Sequence, residues 1–138
     1  MQNTPSGKSV FDLDANIVAL LCYVANFVCY LGVVLSIITI IQDKTNKLAR
    51  FHAWQSILLL AAPLVATILL VIFAFVGVII DSAIGVPIFS MLSMLLYVVL
   101  LVLGLAAFVG MIISAIKAYN GEIYKLPIIG NMADKYSG

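Results

Sequence analysis

Phe51–Ile80, FHAWQSILLLAAPLVATILLVIFAFVGVII, runs for thirty residues with no charged side chain apart from a protonatable imidazole at His52. A helix rises 1.5 Å per residue, so about 20 residues cross a hydrocarbon core of roughly 30 Å. The stretch is therefore long enough to cross a bilayer once and too short to cross it twice. Pro63, inside it, is expected to kink the helix without ending it. Arg50 bounds the stretch on one side and Asp81 on the other.

Two further charge-free runs flank it, Ala15–Gln42 and Ser82–Ile116. Gly85 and Pro87 mark a turn ahead of the last helix, and Asn120-Gly121 supplies its stop, because glycine tolerates the left-handed C-terminal cap. The expected spans are residues 15–41, 51–80 and 88–118. The first run is too long for a signal-peptide core and has no small-x-small cleavage site after it, so it reads as retained. The whole chain of 138 residues is 64% hydrophobic and 9% charged, with a mean hydropathy of +1.22. Soluble domains carry roughly a quarter charged residues. Seven basic and six acidic residues leave a net charge of +1, which excludes a basic nucleic-acid footprint and an acidic disordered chain. The expected fold is all-α: a polytopic membrane protein made of a three-transmembrane-helix bundle. A flexible polar tail over residues 1–14 precedes the bundle, and a cytoplasmic, short amphipathic C-terminal segment over 119–138 follows it.

Lys44, Lys47 and Arg50 lie in the first connector and Lys117, Lys125 and Lys135 in the C-terminal segment, whereas the 81–87 connector has no basic residue. With three spans, the positive-inside rule places the N-terminus outside and the C-terminus in the cytoplasm.

Plotted at 100° per residue, the small and polar residues of each run share one arc. Cys22, Ala25, Asn26, Cys29, Gly32, Ser36 and Thr39 do so in the first. His52, Gln55, Ser56, Ala66 and Gly77 do so in the second, and Ser93, Gly104, Ala107 and Ser114 in the third. Ala106, Gly110 and Ser114 add a small-xxx-small spacing. Helices within lipid associate through such close backbone approach and through polar bonds, which makes Asn26, Gly32, Gly77, Gly104 and Gly110 the helix-packing candidates. Cys22 and Cys29, seven apart on one expected helix, stand about 10 Å apart along its axis and cannot bridge each other; both read as packing residues. No acidic or basic residue sits mid-span, which counts against ion-coupled carriers. The chain also lacks a nucleophile–His–carboxylate set, a phosphate-binding glycine loop and metal-ligand spacing, so no catalytic residue, cofactor or metal is expected and the protein is not expected to be an enzyme.

Asn46–Ser56, NKLARFHAWQS, is the most distinctive segment. Lys47, Arg50 and Trp54 suit the membrane surface, where Arg snorkels and Trp sits among headgroups. His52 and Gln55, three apart, point into the bundle and read first as a polar clamp able to bond helix ends or the C-terminal segment, with a pH-sensitive or substrate contact by His52 as the alternative. Arg50-Phe51-His52-Ala53-Trp54-Gln55-Ser56 resembles the FHAxQ signature of a family of small prokaryotic membrane proteins of unknown function. That family is related to the twenty-kilodalton subunit of the chloroplast Tic protein translocon. Tyr30-Leu31-Gly32 and Tyr119-Asn120-Gly121-Glu122, leading to Leu126-Pro127-Ile128-Ile129-Gly130, also resemble it. On this resemblance the interaction candidates are Arg50, Phe51, His52 and Gln55, with Pro127 and Gly130 in the C-terminal turn.

Ile128, Met132 and Tyr136 recur every four residues, as in a short amphipathic helix lying on the cytoplasmic surface. The expected function is that of a non-catalytic scaffold or subunit of a membrane complex, working by helix–helix association. Its partners would be the lipid bilayer and other membrane proteins or copies of itself, with no nucleic acid. The alternative, implied by the resemblance, is a channel or carrier component such as one in Tic-like protein translocation.

Overall fold

The computed structural model describes residues 7–138 and is all-α, with five helices: α1 Ala15–Val24, α2 Leu31–Gln42, α3 Lys47–Ile84, α4 Ile88–Tyr119 and α5 Ile129–Ser137. Among the described residues only α3 and α4, of 38 and 32 residues, are long and apolar enough to cross a membrane. They contain the expected second and third spans and extend them by a few residues.

The first apolar run is not the single span expected of it. It folds as two short helices joined by a 3₁₀ turn at Ala25–Phe27 and a reversal at Val28–Tyr30. At 1.5 Å per residue, α1 is about 15 Å long and α2 about 18 Å, both short of the bilayer core. Cys29 and Tyr30 carry the reversal with φ of 48° and 58°, two consecutive residues in the left-handed region. The cause lies in the flanking side chains. Asn26 Nδ2 donates to the Cys22 carbonyl at 2.9 Å and to Ser56 Oγ at 3.0 Å, diverting an acceptor of α1 from the helix's own ladder. Gly32 then lets α2 close on α1, for a Cβ there would fall 2.5 Å from the Cys22 carbonyl oxygen and against Asn26 Oδ1. The chain returns to its starting end, where Ser9 Oγ donates to Asp43 Oδ2 at 2.5 Å.

Close contacts group the chain into two compact units. The first comprises the described residues up to Leu59 together with Val109–Gly138. Its apolar core is Val10, Ala15, Val18, Cys22, Leu48, Ala49 and Ala53, with Leu35, Ile38, Ile40 and Ile123 packed against it. Residues 7–14, part of the segment expected to be flexible, form a closed loop in which Ser9 N–H bonds Leu13 O and Ala15 N–H bonds Gly7 O; residues 1–6 lie outside the described residues. Asp43 Oδ1 accepts from the Thr45 and Asn46 amides, and Asn46 Oδ1 accepts from Ala49 N–H, which starts α3. Gly121, with φ 72°, ends α4 in a Schellman turn: its N–H bonds Ala118 O and that of Glu122 bonds Lys117 O.

The second unit, Leu60–Phe108, is an antiparallel pair formed by the later part of α3 and the earlier part of α4. Asp81 fixes its turn, with Oδ1 accepting from Phe89 N–H at 3.0 Å and Oδ2 from Ser90 N–H at 2.8 Å and Ser90 Oγ at 2.6 Å. These bonds satisfy amides that the first turn of α4 would leave open. Gly77 faces the Phe89 side chain. Ala66, Leu69, Phe73, Leu96, Leu100 and Leu103 line a shallow apolar groove of about 340 Å³ between the two helices. The hydroxyls of Thr67 and Ser93 return to the carbonyls four residues back, Pro63 and Phe89, so neither needs a partner outside its own helix.

Gly32→Ala is expected to destabilise the protein by about 1–3 kcal/mol, because a backbone carbonyl stands where the new methyl would go. Gly104→Ala, where nothing lies within 4 Å, should leave stability unchanged. Thermal unfolding in mild detergent compares the two, and equal melting temperatures would contradict the packing described.

Candidate functional site

The first unit is organised around three side chains drawn from two helices. His52 and Gln55 lie one turn apart on α3, facing Tyr23 of α1, and all three are fully buried. His52 Nε2 lies 3.0 Å from the Glu122 carbonyl oxygen. A carbonyl can only accept, so Nε2 carries the proton; in the neutral ring Nδ1 then accepts from Tyr23 O–H, 3.0 Å away. Gln55 Nε2 shares its two protons among three acceptors, Tyr23 Oη at 3.2 Å, Ser114 Oγ at 3.0 Å and the Tyr124 carbonyl at 3.2 Å. Its Oε1 accepts from Leu126 N–H at 3.4 Å. Phe51 and Tyr23 both meet the imidazole edge-on, with ring centroids 5.1 and 5.7 Å away.

Three of these bonds end on the backbone of residues 122–126, which is not helical. After the Gly121 turn the chain doubles back along α4. Leu126 reaches Gly110, where a Cβ would stand 3.1 Å from Leu126 Cδ2, nine residues back from the end of α4 and so about 13 Å along its axis. A non-helical strand in apolar surroundings has no ladder of its own for its N–H and C=O groups, and leaving them unpaired is costly. His52 and Gln55 supply partners for Glu122 O, Tyr124 O and Leu126 N–H. The polar clamp is thus the device by which an irregular segment is held against two apolar helices.

The turn that follows brings in the remaining C-terminal residues. Pro127 O accepts from Ile129 N–H at 2.7 Å across Ile128, whose φ is 67°. Gly130 allows the first turn of α5 to lie on the strand, since a Cβ would fall 2.6 Å from the Lys125 Cα. Along α5 the buried residues are Gly130, Ala133 and Ser137, while the Ile128–Met132–Tyr136 line is exposed. The small residues therefore pack inward and the apolar line faces out, with the Tyr136 ring 5.3 Å from that of Trp54. Asp134 pairs with Lys125 at 2.9 Å and Lys47 at 3.5 Å, and the Lys125 hydrogen bond is the main cause holding its carboxyl below the usual aspartate value. Arg50 Nη1 donates to the Lys44 carbonyl at 3.3 Å, bracing the connector.

Of the residues singled out in the sequence, Phe51, His52, Gln55, Pro127 and Gly130 come together here, with Arg50 at the rim. Asn26 and Gly32 meet at the α1–α2 reversal. Gly77 and Gly104 belong to the second unit. Tyr23 and Ser114 are the centre's other members; Ser114 stood on the polar arc of its run, and the signal for Tyr23 was a hydroxyl on an apolar helix beside Cys22. Of the two cysteines, Cys22 is buried and Cys29 exposed. Among the described residues no group of three or more His, Cys, Asp or Glu side chains comes together.

A family model described as the magnetosome magnetite crystal formation protein family (MamF/MmsF) matches residues 14–133. A UPF0132 membrane protein of Methanocaldococcus jannaschii is 38% identical over 131 residues, covering 95% of this chain and 96% of the relative. A UPF0132 membrane protein of Archaeoglobus fulgidus is 29% identical over 108 residues, 78% of this chain and 86% of its own. A second such protein of Methanocaldococcus jannaschii is 28% identical over 125 residues, covering 90% and 71%. No solved structure matches the chain. Apolar helices and membrane-protein relatives agree that this is a membrane protein.

Gln55→Ala removes the partners of Tyr124 O and Leu126 N–H, and His52→Ala that of Glu122 O. Each is expected to weaken docking of the tail by about 1–3 kcal/mol. Hydrogen exchange should quicken over residues 122–137 and stay unchanged over Leu60–Phe108. Unaltered protection of the tail in both variants would refute the clamp.

Proposed function

This chain belongs to the magnetosome magnetite crystal formation protein family, and on that premise we propose that it is a non-catalytic scaffold or subunit of a membrane assembly, working through helix-to-helix contact. The observation that carries this reading is the direction of its polar groups. Tyr23, His52, Gln55 and Ser114 bond one another and the chain's own backbone, while the surfaces of α3 and α4 beyond them present apolar side chains outward. What such a molecule offers a partner is shape and apolar area. The membrane setting is taken from the UPF0132 relatives, which are described as membrane proteins, and nothing is carried over from the family's description.

The contacts also favour an orientation different from that expected with three spans. Ser9 bonds Asp43, and Asn16 Nδ2 donates to the Tyr119 carbonyl at 3.0 Å. The described N-terminal residues, the first connector and the end of α4 thus share one end of the first unit. With all seven basic residues in those segments or the tail, that end is cytoplasmic in our reading. A channel or carrier role, including Tic-like translocation, is the competing reading and rests on the resemblance of residues 50–56.

Native mass measurement in mild detergent, with cross-linking in cells, tests the scaffold role. The expected result is an oligomer or a defined complex, and a strict monomer with no cross-linked neighbour would overturn it. A thiol introduced by Lys8→Cys should resist an impermeant maleimide added from outside; labelling would overturn the orientation.

A further inference from the structure

The first turns of α3 border α5, and both belong to the first unit. Lys47, Arg50 and Trp54 stand at i, i+3 and i+7, hence along one side of the helix. Two contacts fix what that side meets. Lys47 Nζ lies 3.5 Å from Asp134 Oδ1, and the Trp54 ring is centred 5.3 Å from that of Tyr136. Asp134 also holds Lys125 at 2.9 Å, and Lys135 follows it on the exposed side of α5. Lys47, Arg50, Lys125 and Lys135 thus gather around a single carboxylate, while Asp43 and Glu122 are bonded to Ser9 and Lys117.

Inside this basic patch two donors lack acceptors. Arg50 gives Nη1 to the Lys44 carbonyl, but its Nε is buried without a partner, and so is Trp54 Nε1. The two lie one turn apart on the same side of α3. Leaving a buried N–H unpaired is costly, so the pair calls for oxygen from outside the chain. Both side chains are only part-buried, and a small turn of the guanidinium or the indole brings its N–H to the open edge of the α3–α5 contact.

The surroundings indicate what carries that oxygen. In this unit α3 has no charge from Phe51 to Leu59, and α4 none from Val109 to Ile116. Arg50 therefore stands where the unit passes from its charged end to its apolar part. In a bilayer that is the depth of the lipid phosphates, which Arg and Trp favour. Met132 and Tyr136 are exposed beside Lys135 on the outward face of α5, as in a helix lying among headgroups with its apolar side chains in the leaflet. A second copy docked on this face would set one positive cluster against another, and like charges so placed repel.

We propose that the α3–α5 edge is a binding site for an anionic phospholipid. Its phosphate oxygens accept from Arg50 and Trp54, and Lys47, Lys125 and Lys135 select the negative headgroup. Met132 and Tyr136 lie along its acyl chains. The site goes beyond the scaffold reading and does not depend on it.

Trp54 is the only tryptophan of the chain, so its emission reports on this site alone. The full chain in neutral detergent is titrated with phosphatidylglycerol or with phosphatidylcholine of the same acyl chains. Inorganic phosphate and a polyglutamate peptide are titrated in parallel. Phosphatidylglycerol should change the emission saturably and bind about tenfold more tightly than phosphatidylcholine, with no response to phosphate or peptide at the same concentrations. Arg50→Gln is expected to weaken phosphatidylglycerol binding about tenfold and Lys135→Gln about fivefold. Lys8→Gln, which removes the same charge from the N-terminal loop, should leave it unchanged. Lys135 is exposed, so its variant keeps the fold and decides the matter if Arg50→Gln does not fold. Equal affinity for the two lipids, no response to either, an equal response to phosphate or peptide, or equal losses in Lys8→Gln and Lys135→Gln would each overturn the site. So would a shift of the emission on concentrating the protein without added lipid, which would assign the face to a second copy. A strict monomer by native mass would remove the scaffold reading and leave this site standing.

Discussion

The structure depends on one constraint: backbone groups that leave a helix in apolar surroundings must find partners, and side chains of neighbouring helices have to provide them. Gln55 does most of this. Its amide joins α1 through Tyr23, α4 through Ser114 and the returning tail through Tyr124 and Leu126, so four parts of the first unit converge on one side chain. His52 adds the link to Glu122. Neutral hydrogen bonds of this kind contribute about 1 kcal/mol each when made, yet leaving a buried partner unsatisfied costs about 1–3 kcal/mol. The asymmetry makes the network a specifier of one arrangement more than a reservoir of stability.

The charged end of the same unit works differently. Lys47, Lys125 and Asp134 form a cluster, but all three side chains keep substantial contact with solvent. Exposed pairs of this kind contribute between zero and about 1 kcal/mol. They set where α5 lies; the buried amide and imidazole hold the strand that leads to it. The exposed apolar line of Ile128, Met132 and Tyr136 fits the same division, since the side packed inward is the one with Gly130 and Ala133. A period of four in apolar residues identified an amphipathic helix without saying which of its faces meets the protein.

The long helices and the inward direction of His52 and Gln55 were legible in the sequence because both rest on local facts: length without charge, and rare polar residues at helical spacing. The fate of Ala15–Gln42 was not. A break in a helix is usually announced by glycine or proline, and here the left-handed positions are Cys29 and Tyr30. What forces the break is tertiary: Asn26 bonded to Ser56, thirty residues away, and Gly32 lying against the Cys22 carbonyl. The doubled-back tail was hidden for the same reason. Residues 122–126 mix strand formers, Ile123 and Tyr124, with helix formers, Glu122, Lys125 and Leu126, and their course follows from partners on α3.

Asp81 is the sole charged residue between Arg50 and Lys117, and the structure wraps it in donors from Phe89 and Ser90. In the orientation proposed, the turn that contains it is the only polar piece of the described chain that must pass through the bilayer during biosynthesis. An aspartate at the middle of a bare helix would oppose insertion by about 2.5–3.5 kcal/mol, and a carboxylate already bonded to the amides of the returning helix presents less of that burden. In that orientation the hairpin can enter as one piece, and the other described residues need not leave the compartment in which they were made.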